Sequence, residues 1–316
     1  MQYQEIQPLA AKVRENVRRV IIGNETQIDL ILTAVVAGGH VLLEDVPGTG
    51  KTVLARALSQ SLRCAFSRVQ FTPDLLPADI TGMSVYQPGE GKFVFQPGPV
   101  FTNILLADEI NRATPRTQSA LLECMEEKQV TEGGVTRPLE APFLVLATQN
   151  PVETQGTFPL PEAQLDRFLI RLSLGYPTDD GAVAMMRRFI SESPLETLEP
   201  VAAREEIAQA QKLFRQCEVS ETVMRYIAAL CAATRNPERV QLGVSPRGML
   251  ALMRASQAYA AISGRDFVTP DDVKALAVPV LAHRVILRGL YGKSGEGERF
   301  IEELLQKTPV PTEQQA

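Results

Sequence analysis

The stretch that most constrains this chain is GHVLLEDVPGTGKT, residues 39–52. A short and mostly apolar run, residues 40–43, leads into a Pro-Gly-x-Gly turn, and Lys51-Thr52 opens a sequence with helical character. A strand, a glycine loop and a helix N-terminus in this order predict a phosphate-binding loop, because unpaired N–H groups of the loop and first helical turn point at an anion. The alternative is an ordinary glycine turn before a helix. It is disfavoured because both glycines and the Lys-Thr pair are in place.

Individual residues of this loop predict how a nucleoside triphosphate and Mg²⁺ would be held. Lys51 would reach the β- and γ-phosphates of ATP, and the Thr52 hydroxyl would bind Mg²⁺. The general pattern asks for glycine where this chain has Asp45, so the first corner of the loop must use another conformation, which aspartate tolerates better than most residues. The expected nucleotide-contacting residues are Pro47, Gly48, Thr49, Gly50, Lys51, Thr52 and Val53.

Composition and charge limit the classes of protein to which this chain can belong. The 316 residues are enough for two domains, and 45% hydrophobic with 22% charged residues is an ordinary soluble composition. A formal net charge of −5 argues against a protein that coats nucleic acid electrostatically, but it leaves room for a local basic channel. Residues 1–20 lack the apolar centre of a secretory signal, and no uncharged apolar run approaches the ~20 residues needed to span a bilayer, so we expect a cytoplasmic protein. The four cysteines have no CxxC spacing and predict neither a zinc site nor a disulfide framework.

The hydrophobic pattern predicts an α/β domain followed by a helical one. Apolar strand patterns alternate with helices as far as residue 174, and no strand pattern recurs beyond residue 176. We therefore expect a parallel-sheet core over residues 1–176, a helical lid over residues 177–292, and a C-terminal helix and tail over residues 293–316. Two hairpins, near residues 83–101 and 129–140, are inserted in the core. The alternative for the first is an irregular surface loop.

Polar residues follow two further strands of the predicted sheet. In a parallel sheet with helices on its faces, ligands bind outside the carboxyl ends of the strands. Asp108 would complete the Mg²⁺ shell, usually through water, and Glu109 would orient and deprotonate the attacking water. Asn150 could hydrogen-bond both the γ-phosphate and the water, although Asn-Pro is also a common turn pair.

Two arginines are further candidates for phosphate contact. Arg247 is at the second position of a predicted helix, where the helix dipole disfavours a cation unless an anion compensates it. Arg167 lies just before the last predicted strand of the sheet. It could equally be paired with a neighbouring acid.

The motifs VPGTGKT, LLADEINR, ATQNP, LPEAQLDRF and GVSPRGM occur in this order. In this spacing, over roughly residues 5–290, the chain resembles AAA+ ATPases of the MoxR family. The resemblance implies a P-loop NTPase core with a C-terminal helical lid, Asn150 as sensor 1, Arg247 as sensor 2 and Arg167 as the arginine finger of the next subunit. It also implies a hexameric homo-oligomeric ring and a chaperone-like role in remodelling protein complexes, often with a partner that contains a von Willebrand factor A domain.

Other classes of function compete with a remodelling ATPase. A nucleic-acid motor would need a basic excess on the two hairpins, and neither hairpin has one. A nucleotide-regulated switch that hardly turns over is disfavoured by the intact Glu109. A subunit of a metal-chelatase motor is a near relative that the sequence separates poorly.

Overall fold

The computed structural model of the chain describes residues 1–89, 91–151, 156–190, 194–289 and 295–310. Its first part alternates helices and strands. In chain order the elements are α1 (Ile6–Arg18), α2 (Glu25–Ala37), β1 (Val41–Glu44), α3 (Lys51–Ser61), β2 (Phe66–Gln70), α4 (Pro77–Thr81), β3 (Gly82–Gln87), β4 (Lys92–Pro97), β5 (Ile104–Asp108), α5 (Pro115–Glu127), β6 (Gln129–Glu132), β7 (Val135–Pro138), β8 (Leu144–Gln149), α6 (Glu162–Leu165) and β9 (Ile170–Leu172).

Five of these strands form one parallel sheet in the spatial order β2-β5-β8-β1-β9. Alternate residues of β1 enter two separate apolar clusters, Val41 and Leu43 on one face and Leu42 on the other. Both faces of the sheet are therefore covered, which explains why its strands are continuous apolar runs. The predicted parallel α/β core is confirmed. Because β8 lies between β5 and β1, the strand ends that carry the acidic pair, Asn150 and the phosphate loop are neighbours.

The two inserted hairpins form and contact each other. Strand β3 pairs with β4, and β6 pairs with β7 around Gly133 and Gly134, which both have positive φ as a tight hairpin turn requires. Ser84 Oγ donates to Glu132 Oε2 at 2.7 Å, which joins the first hairpin to the second. The Arg137 guanidinium lies 3.8 Å from the centre of the Phe95 ring. The hairpins therefore make one composite surface.

The second part of the chain is mainly helical. It contains α7 (Asp179–Arg188), α8 (Arg204–Leu213), α9 (Glu221–Ala233), β10 (Val240–Leu242), α10 (Pro246–Ile262), α11 (Pro270–Leu281), β11 (Ile286–Leu287) and α12 (Glu296–Lys307). The predicted start of α11 is confirmed, since Thr269 Oγ1 accepts from the N–H of Asp272 at 3.3 Å. The expectation of no strand beyond residue 176 is wrong, because β10 and β11 pair antiparallel.

The apolar core does not stop between the two parts. Val13 of α1 and Ile31 of α2 belong to the same apolar cluster as Leu252 of α10 and Leu276 of α11. The first two helices thus pack against the helices of the predicted lid, and the division at residue 176 stays a prediction. No helix in the described ranges is long and apolar enough to cross a membrane.

Candidate active site

The loop between β1 and α3 has the backbone geometry of an anion site. Gly48 and Gly50 have φ of +87° and +86°, a region that side chains rarely allow, so glycine is required at both positions. Lys51 is the first residue of α3, and the unpaired N–H groups of that first turn point into the loop. The Lys51 ammonium donates to the carbonyl oxygens of Asp45 and Val46 at 3.1 and 2.9 Å. The charge of Lys51 is therefore held close to the loop backbone.

The first corner of the loop is stabilised through a side chain. The carboxylate of Asp45 is buried and accepts three hydrogen bonds, from Ser173 Oγ at 2.7 Å, Leu174 N at 2.7 Å and Gly175 N at 3.0 Å. Left-handed backbone is not the reason for aspartate here. The described non-glycine residues with positive φ are Arg63, Glu109 and Lys128. Asp45 instead ties the phosphate loop to the segment that follows β9.

One buried threonine fixes the acidic pair at the end of β5. The backbone N–H of Glu109 donates to Thr148 Oγ1 at 2.8 Å, and that hydroxyl donates to Asp108 Oδ1 at 2.7 Å. Thr148 lies on the neighbouring strand β8 and is 1% exposed. Glu109 has φ +57° and ψ 50°, a left-handed conformation that is costly for a residue with a Cβ atom. The threonine therefore helps to hold a strained turn.

Three more side chains bind these carboxylates, none of which the sequence pattern singles out. Arg68 Nη2 lies 2.7 Å from Asp108 Oδ2. Gln70 Nε2 donates to Glu109 Oε2 at 2.8 Å, and Arg112 Nε lies 2.9 Å from the same oxygen. Arg68 and Gln70 are two residues apart on β2 and so share one face of the strand. Strand alternation could have grouped them, but the order of strands in the sheet was needed to place them beside β5.

These groups line one cavity of about 430 Å³ at the carboxyl ends of the strands. Its size is in the usual range for small-molecule sites. Of the predicted loop residues, Thr49 is not among the lining residues, and its hydroxyl lies 3.4 Å from the carbonyl oxygen of Val46. The lining residues are Asp45, Pro47, Gly48, Gly50, Lys51, Thr52, Val53, Arg68, Gln70, Asp108, Glu109, Thr148, Gln149 and Asn150.

Comparison with known proteins agrees with this geometry. A profile of the ATPase family associated with various cellular activities (AAA) matches residues 40–170, and an AAA lid domain profile matches residues 232–306. The chaperone MoxR1 of Mycobacterium tuberculosis is 40% identical over 86% of this chain and 74% of that relative. The chain belongs to the MoxR family of AAA+ ATPases.

Two further comparisons cover nearly the whole of this MoxR-family chain. YeaC of Bacillus subtilis, a protein described as uncharacterised, is 48% identical over 100% of this chain and 99% of that relative. A crystal structure from Cytophaga hutchinsonii, described as that of a candidate ATPase, superposes with a TM-score of 0.90 and 38% identity over 98% of this chain and 97% of that one. This MoxR-family protein is therefore an ATPase, with an α/β P-loop core and a helical lid.

The two arginines singled out from the sequence lie together in this ATPase. Arg167 Nε donates to Glu126 Oε2 at 2.8 Å, and Arg247 Nη2 donates to Glu126 Oε1 at 2.7 Å. Arg167 lies just before β9, Arg247 is in the first turn of α10, and neither is among the residues that line the nucleotide cavity. We call Glu126, Arg167, Arg247 and the neighbouring pair Asp166 and Arg284 the arginine corner.

An ion pair between the buried Arg284 and the half-buried Asp166 ties the arginine corner together. Arg284 Nε donates to Asp166 Oδ1 at 2.6 Å, and the Ser245 hydroxyl, at the N-cap of α10, donates to Asp166 Oδ2 at 3.1 Å. Burial lowers the pKa of the Arg284 guanidinium, and the Asp166 carboxylate opposes that shift. One aspartate therefore connects the loop before β9 to two elements of the lid.

The donor set at the cavity fits Mg²⁺ bound together with a nucleotide. No group of three or more His, Cys, Asp or Glu side chains that could hold a metal ion by itself occurs in the described ranges. Thr52 and Asp108 both line the cavity, and a hydroxyl with a carboxylate leaves most of the shell to water and phosphate oxygens, as Mg²⁺ prefers. The Arg68 side chain is 46% exposed, so its guanidinium has room to turn away from Asp108.

Proposed function

We propose that this protein is a Mg²⁺-ATP-dependent remodeller of protein complexes whose active sites form between neighbouring subunits of a ring. The observation that carries the proposal is the arginine corner. Arg167 and Arg247 are grouped on one carboxylate and do not line the cavity of their own chain. Arginine supplied by a neighbour is a common means of stabilising charge on a transferring phosphoryl group. By the family resemblance the ring is a hexamer.

Within the cavity each predicted side chain has a separate task. Lys51 binds the β- and γ-phosphates, and Thr52 with Asp108 would hold Mg²⁺, which supplies charge neutralisation when bound. Glu109 takes the proton of the attacking water, and Asn150 hydrogen-bonds the γ-phosphate and that water. Gln70 and Arg112 both bind Oε2 of Glu109, so these two side chains hold the carboxylate in its orientation.

Mixing two inactive variants tests the shared site. Arg167→Ala should bind ATP normally and hydrolyse it slowly, and Glu109→Gln should bind and not hydrolyse. In a mixture, one type of interface combines an intact Glu109 with an intact Arg167, so activity should partly return. If subunits shown to mix recover no activity, Arg167 has a structural role and the site is not shared.

The composite surface of the two hairpins is the proposed contact for a partner or client protein. Tyr86 and Phe93 on the first hairpin are 51% and 71% exposed, with ring centres 5.3 Å apart. Val135 on the second hairpin is also exposed. These side chains add little to the apolar core, and exposed aromatic residues are enriched where proteins bind each other. By the resemblance, the partner has a von Willebrand factor A domain.

A capture experiment with ATP-trapped rings tests this surface. Glu109→Gln in ATP should retain a set of bound proteins, and the added pair Tyr86→Ser and Phe93→Ser should release that set. Phe267→Ser, which removes another half-exposed aromatic ring, is the matched control and should retain it. When the aromatic substitutions are made in a protein that keeps Glu109 intact, its ATPase activity should be unchanged. If replacing residues 83–96 by a Gly-Ser turn leaves capture intact, recognition lies on the helical domain.

A further inference from the structure

Glu126 contacts both arginines of the arginine corner through separate oxygens. Oε2 accepts from Arg167 and Oε1 accepts from Arg247, at 2.8 and 2.7 Å. The arginines come from different parts of the fold, the loop before β9 and the start of α10. The hydrogen bond from Ser245 to Asp166 joins the two backbone segments, and the two oxygens of the Glu126 carboxylate set the spacing between the guanidinium groups themselves.

The position of Glu126 is unfavourable apart from these contacts. It lies in the last turn of α5, where the negative end of the helix dipole repels a carboxylate. The two guanidinium groups compensate that repulsion. Without the carboxylate, the guanidinium groups would repel each other in turn. The three charges are mutually dependent, and together they leave one net positive charge.

The bridge leaves both arginines able to bind a second anion. A guanidinium has five N–H donors, and in the described part of the chain Arg167 donates from Nε and Arg247 from Nη2. Their side chains are 28% and 48% exposed. The terminal amino groups of Arg167 in particular stay available for phosphate oxygens. Glu126 therefore holds the two guanidinium groups while leaving N–H donors available to a second anion.

We propose that Glu126 is a positioning residue for ATP hydrolysis: it holds Arg167 and Arg247 at the spacing at which both reach one γ-phosphate of the neighbouring subunit. The proposal rests on the proposed function, in which these arginines act on the nucleotide of the next subunit. Glu126 does not itself touch the nucleotide. Fixed orientation of this kind changes turnover more than it changes affinity for the substrate.

The test begins with Glu126→Gln, which keeps the size of the side chain. An amide has one oxygen, so it accepts from one arginine and turns an NH₂ group toward the other. We expect kcat for ATP to fall about fivefold, the loss typical of two partly exposed ion pairs, with the KM for ATP nearly unchanged. Glu127→Gln, at the exposed next position of α5, is the matched control and should keep the wild-type kcat.

Mixed rings show whether the effect belongs to the neighbour's site. Mixed with Glu109→Gln, the Glu126→Gln subunit should turn over faster than it does alone, because its intact Glu109 then meets an intact arginine pair. Mixed with Arg167→Ala, it should not, because both variants are defective on the same side of the interface. A general loss of structure would not distinguish these two mixtures.

The outcomes distinguish a failure of the positioning role from a failure of the proposed function on which it rests. If Arg167→Ala and Glu109→Gln fail to complement, the shared site is wrong. If they complement while Glu126→Gln keeps or exceeds the wild-type kcat, the carboxylate is neutral or competes with phosphate, and the positioning role is overturned. If kcat falls but no mixture with Glu109→Gln restores it, Glu126 acts within its own subunit and the proposal is likewise overturned.

Discussion

The nucleotide cavity and the arginine corner are built differently. In the cavity, functional side chains extend from the ends of adjacent parallel strands, and backbone geometry at Gly48, Gly50 and Glu109 places them. In the arginine corner, four segments distant in the chain meet, and ion pairs centred on Glu126 and Asp166 hold them. The first region presents a glycine loop and the acidic side chains of Asp108 and Glu109, whereas the second presents the guanidinium groups of Arg167 and Arg247. In the proposed function, the two regions are complementary halves of an active site that neighbouring subunits share.

The largest effect should come from residues of the cavity. Lys51→Ala is expected to abolish ATP binding, since in the proposed function Lys51 contacts the ground-state phosphates. Glu109→Gln is expected to keep ATP affinity and to lower turnover by at least about 100-fold, since in the proposed function Glu109 acts on the attacking water. Nucleotide titration and phosphate release measure the two quantities. An equal loss of ATP affinity in both variants would contradict the separation of roles.

A smaller effect is expected at the arginine corner. Arg247→Ala should lower the turnover of assembled rings by about 10- to 100-fold, the value of a charge-assisted hydrogen bond, and leave ATP affinity of dissociated subunits unchanged. Arg254→Ala, at an exposed position of the same helix, is the control and should leave both unchanged. A loss of ATP affinity in dissociated subunits would mean that Arg247 contacts the nucleotide of its own subunit. The nucleotide cavity and the arginine corner would then not be separate halves.

The third prediction concerns the strained acidic turn. Thr148→Val keeps the shape of the side chain but removes the hydroxyl that joins Glu109 N–H to Asp108. We expect turnover to fall about tenfold, with about 1–2 kcal/mol lost from the free energy of unfolding. Thr33→Val removes a hydroxyl that is equally buried, in α2, and should cost similar stability without loss of turnover. If both variants turn over at the wild-type rate, Thr148 has no part in placing the acids.

The smallest effect should be a dependence of stability on pH, which comes from two buried histidines, one before the strand that leads into the phosphate loop and one beside Arg284. Burial lowers the pKa of His40, which precedes β1 at the end of the sheet opposite the cavity, to about 4, and burial beside Arg284 holds the pKa of His283, at the arginine corner, well below its usual value. Each histidine is therefore neutral when folded and protonates near pH 6.5 when unfolded, so the unfolded state binds more protons below that pH.

The free energy of unfolding should accordingly fall by about 1 kcal/mol per histidine between pH 8 and pH 6, and further toward pH 4. Urea denaturation at the two pH values measures this change. His40→Asn should reduce the difference by half, leaving the part due to His283. A free energy of unfolding that is flat or rises as the pH falls from 8 to 6 would contradict buried neutral histidines.

Sequence patterns predicted more of the cavity than of the arginine corner. The reason is the separation in sequence between the residues that contact each other. The phosphate loop and Asp108-Glu109 are short motifs in which spacing alone determines local geometry. The contacts of Arg247 with Glu126 and of Asp45 with Ser173 join residues 121 and 128 positions apart, which no local pattern reports. Strands β10 and β11 were missed because three and two residues are too few to show a period.

The tie between Asp45 and the segment after β9 has a consequence for engineering. Restoring glycine at position 45 would match the general phosphate-loop pattern, yet it would leave the Ser173 hydroxyl and the N–H groups of Leu174 and Gly175 without their acceptor. The Leu174 N–H is buried, and leaving a buried donor unpaired costs about 1–3 kcal/mol, a loss that chemical denaturation of Asp45→Gly would register. Consensus substitution at this position is therefore expected to destabilise the protein. The aspartate and the residues that it caps have to be exchanged as one unit when loops are transplanted between relatives.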